Sequence, residues 1–196
     1  VVGLCPTTEA NLGDGIFPAQ AFLSANGAFG VGSDSHVSVS ALEELRWLEY
    51  GQRLKHERRN RLSAAGRTEV ADTLYAAALQ GGAQAMGQPI GAIAAGKRAD
   101  LVVLDGAHPM LANVAPAKLL GRWLFGGNDG WVKDVMVSGK WVVRDRRHAG
   151  EEAAHRVRRP AGGGDELRAA GALGAAQQGQ DRRQLGAGAG SSRLAG

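Results

Sequence analysis

Residues 27–36 read Gly27-Ala28-Phe29-Gly30-Val31-Gly32-Ser33-Asp34-Ser35-His36, a run of small and apolar residues that ends in a polar segment. Such a run is typical of a buried strand in a parallel sheet. Asp34 would then lie at the C-terminal tip of the strand, where βα barrels place catalytic groups. An aspartate that begins a loop is more often a turn former or a helix cap, so this segment alone leaves a catalytic and a structural role open.

A second apolar run covers residues 1–5 and also fits a buried strand. Between the two runs, residues 18–26 carry Ala19, Phe22 and Leu23 at helical spacing. The order strand, helix, strand is that of a βαβ unit, in which a crossover joins two parallel strands. The first strand has no lead-in and the chain begins with valine, so we expect an element severed from sequence upstream.

Two longer helices are expected downstream. Ser40 and Glu43 form a capping box, and the first helix runs into the charged segment 55–59. The second helix starts after Thr68 and stops at Gly87. Their predicted buried faces consist of Leu42, Leu45 and Leu48 in the first helix and Val70, Leu74 and Ala78 in the second.

After the second helix, the pattern of apolar residues changes from that of helices to that of β-strands. Residues 100–105 and 132–143 are rich in β-branched residues, and Ser138-Gly139-Lys140 is typical of a hairpin turn. The sequence therefore predicts an α/β part in residues 1–90 and a small β-domain in residues 91–155.

The last segment, residues 156–196, has a different composition, dominated by Gly, Ala, Arg and Gln. From about Arg158 onward it lacks the aromatic and β-branched residues that build a core, so we expect a disordered tail. Residues with GC-rich codons prevail, which leaves two explanations open: out-of-frame sequence that replaced the native terminus, or a natural flexible linker.

Composition excludes several classes of protein. The chain has 196 residues, 44% of them hydrophobic, which is enough for one sizeable core. Its single cysteine cannot form an internal disulfide, and no stretch approaches the ~18 apolar residues of a membrane span. The net charge of +4 is a weak argument for nucleic acid. We therefore expect a cytoplasmic protein that binds neither membranes nor nucleic acid.

Several separate motifs resemble the amidohydrolase superfamily in their order and spacing. The return from the barrel to a small β-sandwich is marked in that superfamily by a run such as Gly96-Lys97-Arg98-Ala99-Asp100-Leu101-Val102-Val103-Leu104-Asp105. The other motifs are residues 33–36, 43–46, 81–87 and the hairpin 135–143. Within the superfamily, residues 4–15, 33–36 and 44–50 look like the formimidoylglutamate deiminase family. The resemblance covers about residues 1–155.

The resemblance implies a C-terminal fragment of a (β/α)8 TIM-type barrel, plus part of a β-sandwich domain. Residues 1–5 would be the seventh strand and Phe29 to Gly32 the eighth. Asp34 would ligate a catalytic divalent metal, usually one Zn²⁺, and accept a proton from the metal-activated water. The implied small-molecule substrate is N-formimidoyl-L-glutamate, which is hydrolysed to N-formyl-L-glutamate and ammonia in histidine degradation.

The same resemblance implies that most of the active site lies elsewhere. The remaining ligands in that superfamily are histidines, with a His-x-His pair on an early strand, and no such pair occurs in this chain. A complete barrel takes ~250 residues, so we expect this chain alone to be inactive. Whether the complete enzyme forms a homodimer is left open.

Three further residues are candidates for contact with the substrate. His36 could orient substrate or serve as a hydrogen-bonding partner within its loop, and the second role is favoured. Glu9 and Asn11 are further candidates, on the loop expected after the first strand. The competing hypotheses are another aminohydrolase of the superfamily, such as a guanine or cytosine deaminase or a chlorohydrolase-like enzyme, and a non-enzymatic truncated product.

Overall fold

The computed structural model describes residues 1–64, 69–127 and 129–151, which build two small sheets and five α-helices. The expected tail therefore lies outside the described residues. The chain divides into two units, Val1–Ala149 and Gly150–Gly196, and the fold described below is that of the first. Its elements in chain order are β1 (Val2–Leu4), α1 (Pro6–Leu12), α2 (Ala19–Ser24), β2 (Phe29–Val31), α3 (Ala41–His56), α4 (Val70–Met86), β3 (Leu101–Leu104), α5 (Pro116–Gly126), β4 (Val132–Val137), β5 (Lys140–Arg144) and β6 (Arg147–His148).

The first sheet is the parallel pair β1–β2, in which Val2 lies opposite Phe29 and Leu4 opposite Val31. The predicted strand, helix, strand order is confirmed, although α2 is only six residues long. A further helix, α1, follows β1 directly, so the expectation of a loop at this place was wrong. Pro6 stands at the first turn of α1, where its missing N–H costs nothing.

The two long helices occupy the predicted places. The Ser40 side chain accepts a hydrogen bond from the Glu43 N–H at the start of α3, as a capping residue does. Leu42, Leu45 and Leu48 of α3 are all buried. At the far end of α4, Gly87 adopts a left-handed conformation and caps the helix.

Helix α4 packs against β2 through a glycine. Gly81 is buried, and a Cβ atom at this position would lie 1.9 Å from the Phe29 carbonyl oxygen. Only a residue without a side chain allows helix and strand to come this close. Strand β2 is therefore held directly against the backbone of α4.

The second sheet is antiparallel, with the strand order β3-β4-β5-β6. Ser138 and Gly139 connect β4 to β5 with φ angles of 51° and 77°, which is typical of a type I′ hairpin and agrees with the predicted turn. The short helix α5, between β3 and β4, was not predicted. It is tied to α3 by the Arg46 guanidinium, which donates to the Leu124 carbonyl at 2.8 Å and to the Gly127 carbonyl.

A hydrophobic core is shared by β1, β2 and the long helices. The large side chains buried in it include Leu4, Phe29, Leu45, Leu62, Leu74 and Leu124. Because β1 and β2 are packed in this core, the positions of their carboxyl ends are fixed, and the segments that follow them begin from these positions. No helix in the described part of the chain is long and apolar enough to cross a membrane.

Candidate functional site

Asp34 lies three residues beyond the end of β2, in a tight turn. The turn is closed by a hydrogen bond of 2.9 Å from the His36 N–H to the Ser33 carbonyl. Asp34 has a φ of 44°, in the left-handed region, which aspartate tolerates better than most residues. Its side chain is exposed, and within the described residues no hydrogen bond or ion pair engages its carboxylate. The turn therefore presents a carboxylate that its surroundings leave available.

The turn is braced from α1 by the hydroxyl group of Thr8. This hydroxyl donates to the Ser33 carbonyl at 2.7 Å and accepts from the His36 N–H at 3.1 Å. Thr8 is only 4% exposed, so water does not compete freely for these bonds. One side chain of α1 thus contacts both ends of the turn that carries Asp34.

Helix α1 is itself anchored by a buried acid of α3. The Glu44 carboxylate, 1% exposed, accepts from the Thr7 N–H at 2.9 Å and from the Thr7 hydroxyl. Negative charge is favourable at a helix N-terminus, where backbone N–H groups lack intrahelical partners. Glu44 therefore fixes the start of α1 relative to the core.

The other predicted site residues occupy different positions. The Nδ1 atom of His36 accepts from the Ser38 N–H at 3.1 Å, so this ring takes part in the hydrogen bonds of its own loop. Glu9 lies on α1, and its carboxylate accepts from the Cys5 N–H at 2.9 Å. Asn11 is exposed near the end of the same helix. Glu9 and Asn11 are therefore helical, and the expectation that both lie on a loop was wrong.

Three carboxylates lie near the carboxyl end of the parallel pair. The pKa of the Cys5 thiol is raised, first by its burial and then by the negative charges of Asp34, Glu44 and Glu9. A Cβ atom at Gly32 would lie 4.0 Å from the Cys5 sulfur, so the ends of β1 and β2 are adjacent here. Three carboxylates close enough to act on one thiol make this edge attractive to a cation.

The described residues supply only part of a metal site. No group of three or more His, Cys, Asp or Glu side chains within them could hold a metal ion. Of the three carboxylates at this edge, those of Glu44 and Glu9 are occupied by hydrogen bonds within the chain. Asp34 is exposed and available, and as a hard oxygen donor it fits one ligand position of a divalent metal.

Sequence reasoning missed Thr8 and Glu44. A signal for α1 was present, because Pro6 directly after a strand and Glu9 three residues later are typical of a helix start. No local pattern pairs Thr8 with residue 33 or Thr7 with residue 44, since these contacts depend on how β1 and β2 are placed side by side.

Comparison with known proteins shows the family that the chain resembles. Residues 1–142 match the amidohydrolase family. Formimidoylglutamate deiminase of Pseudomonas aeruginosa is 64% identical over 157 residues, which is 80% of this chain and 35% of that protein. The chain thus spans about a third of the length of the relatives it matches.

Solved structures agree with this placement. An amidohydrolase from Brucella melitensis has a TM-score of 0.68 and 42% identity, over 79% of this chain and 34% of that one. An adenosine deaminase from Xanthomonas campestris, with bound zinc, has a TM-score of 0.65 and 26% identity, over 80% of this chain and 35% of that one. Since the family match alone covers more than half of its residues, the chain belongs to the amidohydrolase family.

Proposed function

We propose that this chain is the C-terminal part of a zinc-dependent deiminase that hydrolyses N-formimidoyl-L-glutamate to N-formyl-L-glutamate and ammonia. The observation that carries the proposal is the exposed, unengaged carboxylate of Asp34 at the carboxyl end of a parallel strand pair. The choice of substrate is supported by the 64% identity to the Pseudomonas aeruginosa enzyme of that name.

The proposal includes a place for each part of the fold. Residues 1–5 are the seventh strand of a (β/α)8 barrel and Phe29 to Gly32 the eighth, within a barrel portion of residues 1–90. Residues 91–155 belong to a β-sandwich domain, which is supported by the antiparallel sheet β3–β6. Active sites of such barrels lie at the carboxyl ends of the strands, and this is the edge where Asp34 is found.

Asp34 has two roles in this proposal. Its carboxylate is one ligand of the metal, and the other ligands come from outside the described residues. Zinc, when bound, lowers the pKa of a water molecule toward neutrality. The Asp34 carboxylate would accept one proton of the water whose oxygen adds to the formimidoyl carbon, and would return it to the terminal nitrogen. That nitrogen would leave as ammonia once it has also received the second proton of the water, as its bond to carbon breaks and the formyl C=O forms.

The test uses a full-length chimera, in which residues 1–151 replace the matching segment of the Pseudomonas aeruginosa relative. We expect the chimera to release ammonia from N-formimidoyl-L-glutamate, and Asp34→Asn to lower kcat by at least ~10²-fold, because an amide cannot accept the proton. Asparagine tolerates a left-handed backbone as aspartate does, so the turn should survive the substitution.

A matched control is available in the second sheet. Asp145 is also an exposed aspartate in a turn, with a φ of 48°. Its substitution Asp145→Asn removes the same charge from the same backbone conformation, and we expect kcat to stay within ~2-fold, because an exposed ion pair contributes little. An active Asp34→Asn chimera would refute the role of Asp34. A chimera that deaminates guanine or cytosine and ignores the formimidoyl substrate would refute the choice of substrate.

A further inference from the structure

The hydroxyl of Thr8 occupies an unusual position in the Asp34 turn. It bonds to the same two backbone groups that close the turn, the Ser33 carbonyl at 2.7 Å and the His36 N–H at 3.1 Å. Each of these groups is thus shared between the turn's own bond of 2.9 Å and the Thr8 hydroxyl. The turn is closed locally and is also fastened to α1 by a side chain 25 residues earlier in the chain.

The two hydrogen bonds of Thr8 stabilise an unfavourable backbone conformation in the Asp34 turn. Asp34 is a non-glycine residue with a φ of 44°, a conformation that persists where the surroundings determine it. The Asp34 side chain is exposed and makes no hydrogen bond among the described residues that could orient it. The direction of its Cα–Cβ bond therefore depends on the backbone of residues 33–36, and the Thr8 hydroxyl bonds to both ends of that segment.

Two further residues, Thr7 and Glu44, connect Thr8 to the hydrophobic core. Thr7 precedes Thr8 at the start of α1, and its N–H and hydroxyl both donate to the buried Glu44 carboxylate. Glu44 belongs to α3, the helix that buries Leu42, Leu45 and Leu48. A continuous path of hydrogen bonds and helix backbone thus connects a rigid element to the turn that carries Asp34.

We propose that Thr8 is a positioning residue, which acts through the turn 33–36 to hold the Asp34 carboxylate in its productive direction. The inference rests on the proposed role of Asp34 as metal ligand and proton acceptor. Thr8 itself is too deeply buried to touch substrate. Partners that orient a metal ligand typically contribute ~10–100-fold to metal affinity or activity.

The test compares Thr8→Val and Thr8→Ser in the chimera. Valine has the shape of threonine without the hydroxyl, and serine keeps the hydroxyl. We expect Thr8→Val to lower kcat and zinc affinity, measured by competition with a chelator, by ~10–100-fold each, with KM within ~3-fold. Thr8→Ser should stay within ~3-fold of the parent in all three quantities. Should valine disturb folding, the pair Thr8→Ala and Thr8→Ser isolates the hydroxyl in the same way.

A control and a second readout separate this inference from the proposed function. Thr73→Val removes a hydroxyl that accepts from the Ala64 N–H at 3.2 Å, a bond to a different segment of the chain, and should leave kcat and zinc affinity unchanged. Hydrogen exchange of the His36 amide should be faster in Thr8→Val. If exchange rises while kcat and zinc affinity do not fall, or if serine is as poor as valine, the positioning role is overturned. If instead Asp34→Asn remains active, the proposed function fails, whatever Thr8→Val does.

Discussion

The close contact between α4 and β2 gives the sharpest prediction for stability and activity together. In Gly81→Ala, the new Cβ would lie 1.9 Å from the Phe29 carbonyl oxygen and 2.5 Å from its carbonyl carbon. Real Cβ atoms keep at least 3.0 Å from such atoms, so helix and strand must separate by roughly 1 Å. Both atoms belong to backbone, which cannot turn aside as a flexible side chain does.

The cost of this separation follows from the packing around it. Phe29 is 1% exposed and lies in the core, where overpacking costs ~1–3 kcal/mol and occasionally more. The better helix propensity of alanine offsets up to ~1 kcal/mol. We therefore expect a net loss of ~1–2 kcal/mol and a melting temperature lower by about 2–8 °C, taking ~2–4 °C per kcal/mol as a scale.

Activity should fall as well, because β2 leads directly into the Asp34 turn. A displacement of ~1 Å at a catalytic group can cost ~10²-fold in rate, so we expect kcat of the Gly81→Ala chimera to fall by ~10–10²-fold. Gly82→Ala is the matched control, since a Cβ there meets nothing within 4 Å and only the helix propensity improves. If Gly81→Ala melts at the same temperature as Gly82→Ala, the reasoning from this contact is refuted.

Two further predictions concern Glu49 and Cys5 of the same unit. Glu49 is fully buried, forms an ion pair with Arg53 at 2.7 Å and accepts from the Arg61 and Leu62 amides at 3.0 Å each. Glu49→Ala should therefore lower the free energy of unfolding by about 3–5 kcal/mol, measured by denaturant titration. Glu69→Ala breaks a more exposed ion pair and should lower the free energy of unfolding by at most ~1 kcal/mol. Equal losses in Glu49→Ala and Glu69→Ala would contradict the importance of burial for Glu49. The pKa of the Cys5 thiol is raised by burial and by nearby carboxylates, so its thiolate forms only at higher pH than in a free cysteine. Iodoacetamide labelling of Cys5, followed by peptide mapping from pH 7 to about 10, should therefore have a midpoint above that of an unfolded control peptide, and a midpoint at or below the control would speak against this environment.

Much of the fold was predictable because its signals are local. The capping pair Ser40 and Glu43, the apolar face that follows it and the left-handed Gly87 define α3 and α4 within a turn of their true ends. The Ser138-Gly139 turn defines the hairpin β4–β5 in the same way. In each case the residues that form the element also carry the pattern, so no distant contact had to be known.

The parts that were missed depend on contacts between distant segments or on short helices. Helix α1 has seven residues, too few to display a full apolar period, and α5 lies in a segment without a side-chain cap. The position of Asp34 at a strand end was predictable from the run that precedes it. The hydrogen bonds of Thr8 and Glu44 were not, because 25 and 37 residues separate the partners.

The burial of Glu44 connects these contacts to the proposed chemistry. A carboxylate without a cation partner is costly to bury, and in the described residues Glu44 is satisfied only by the Thr7 N–H and hydroxyl at the start of α1. An apolar residue at this place would avoid that cost but would leave the start of α1 without its partner. Beside burial, the charge of Glu44 is also one of the three that raise the pKa of Cys5 at the same edge. In the proposed metal site Glu44 therefore contributes twice, once through its negative charge and once by holding the helix from which Thr8 contacts the Asp34 turn.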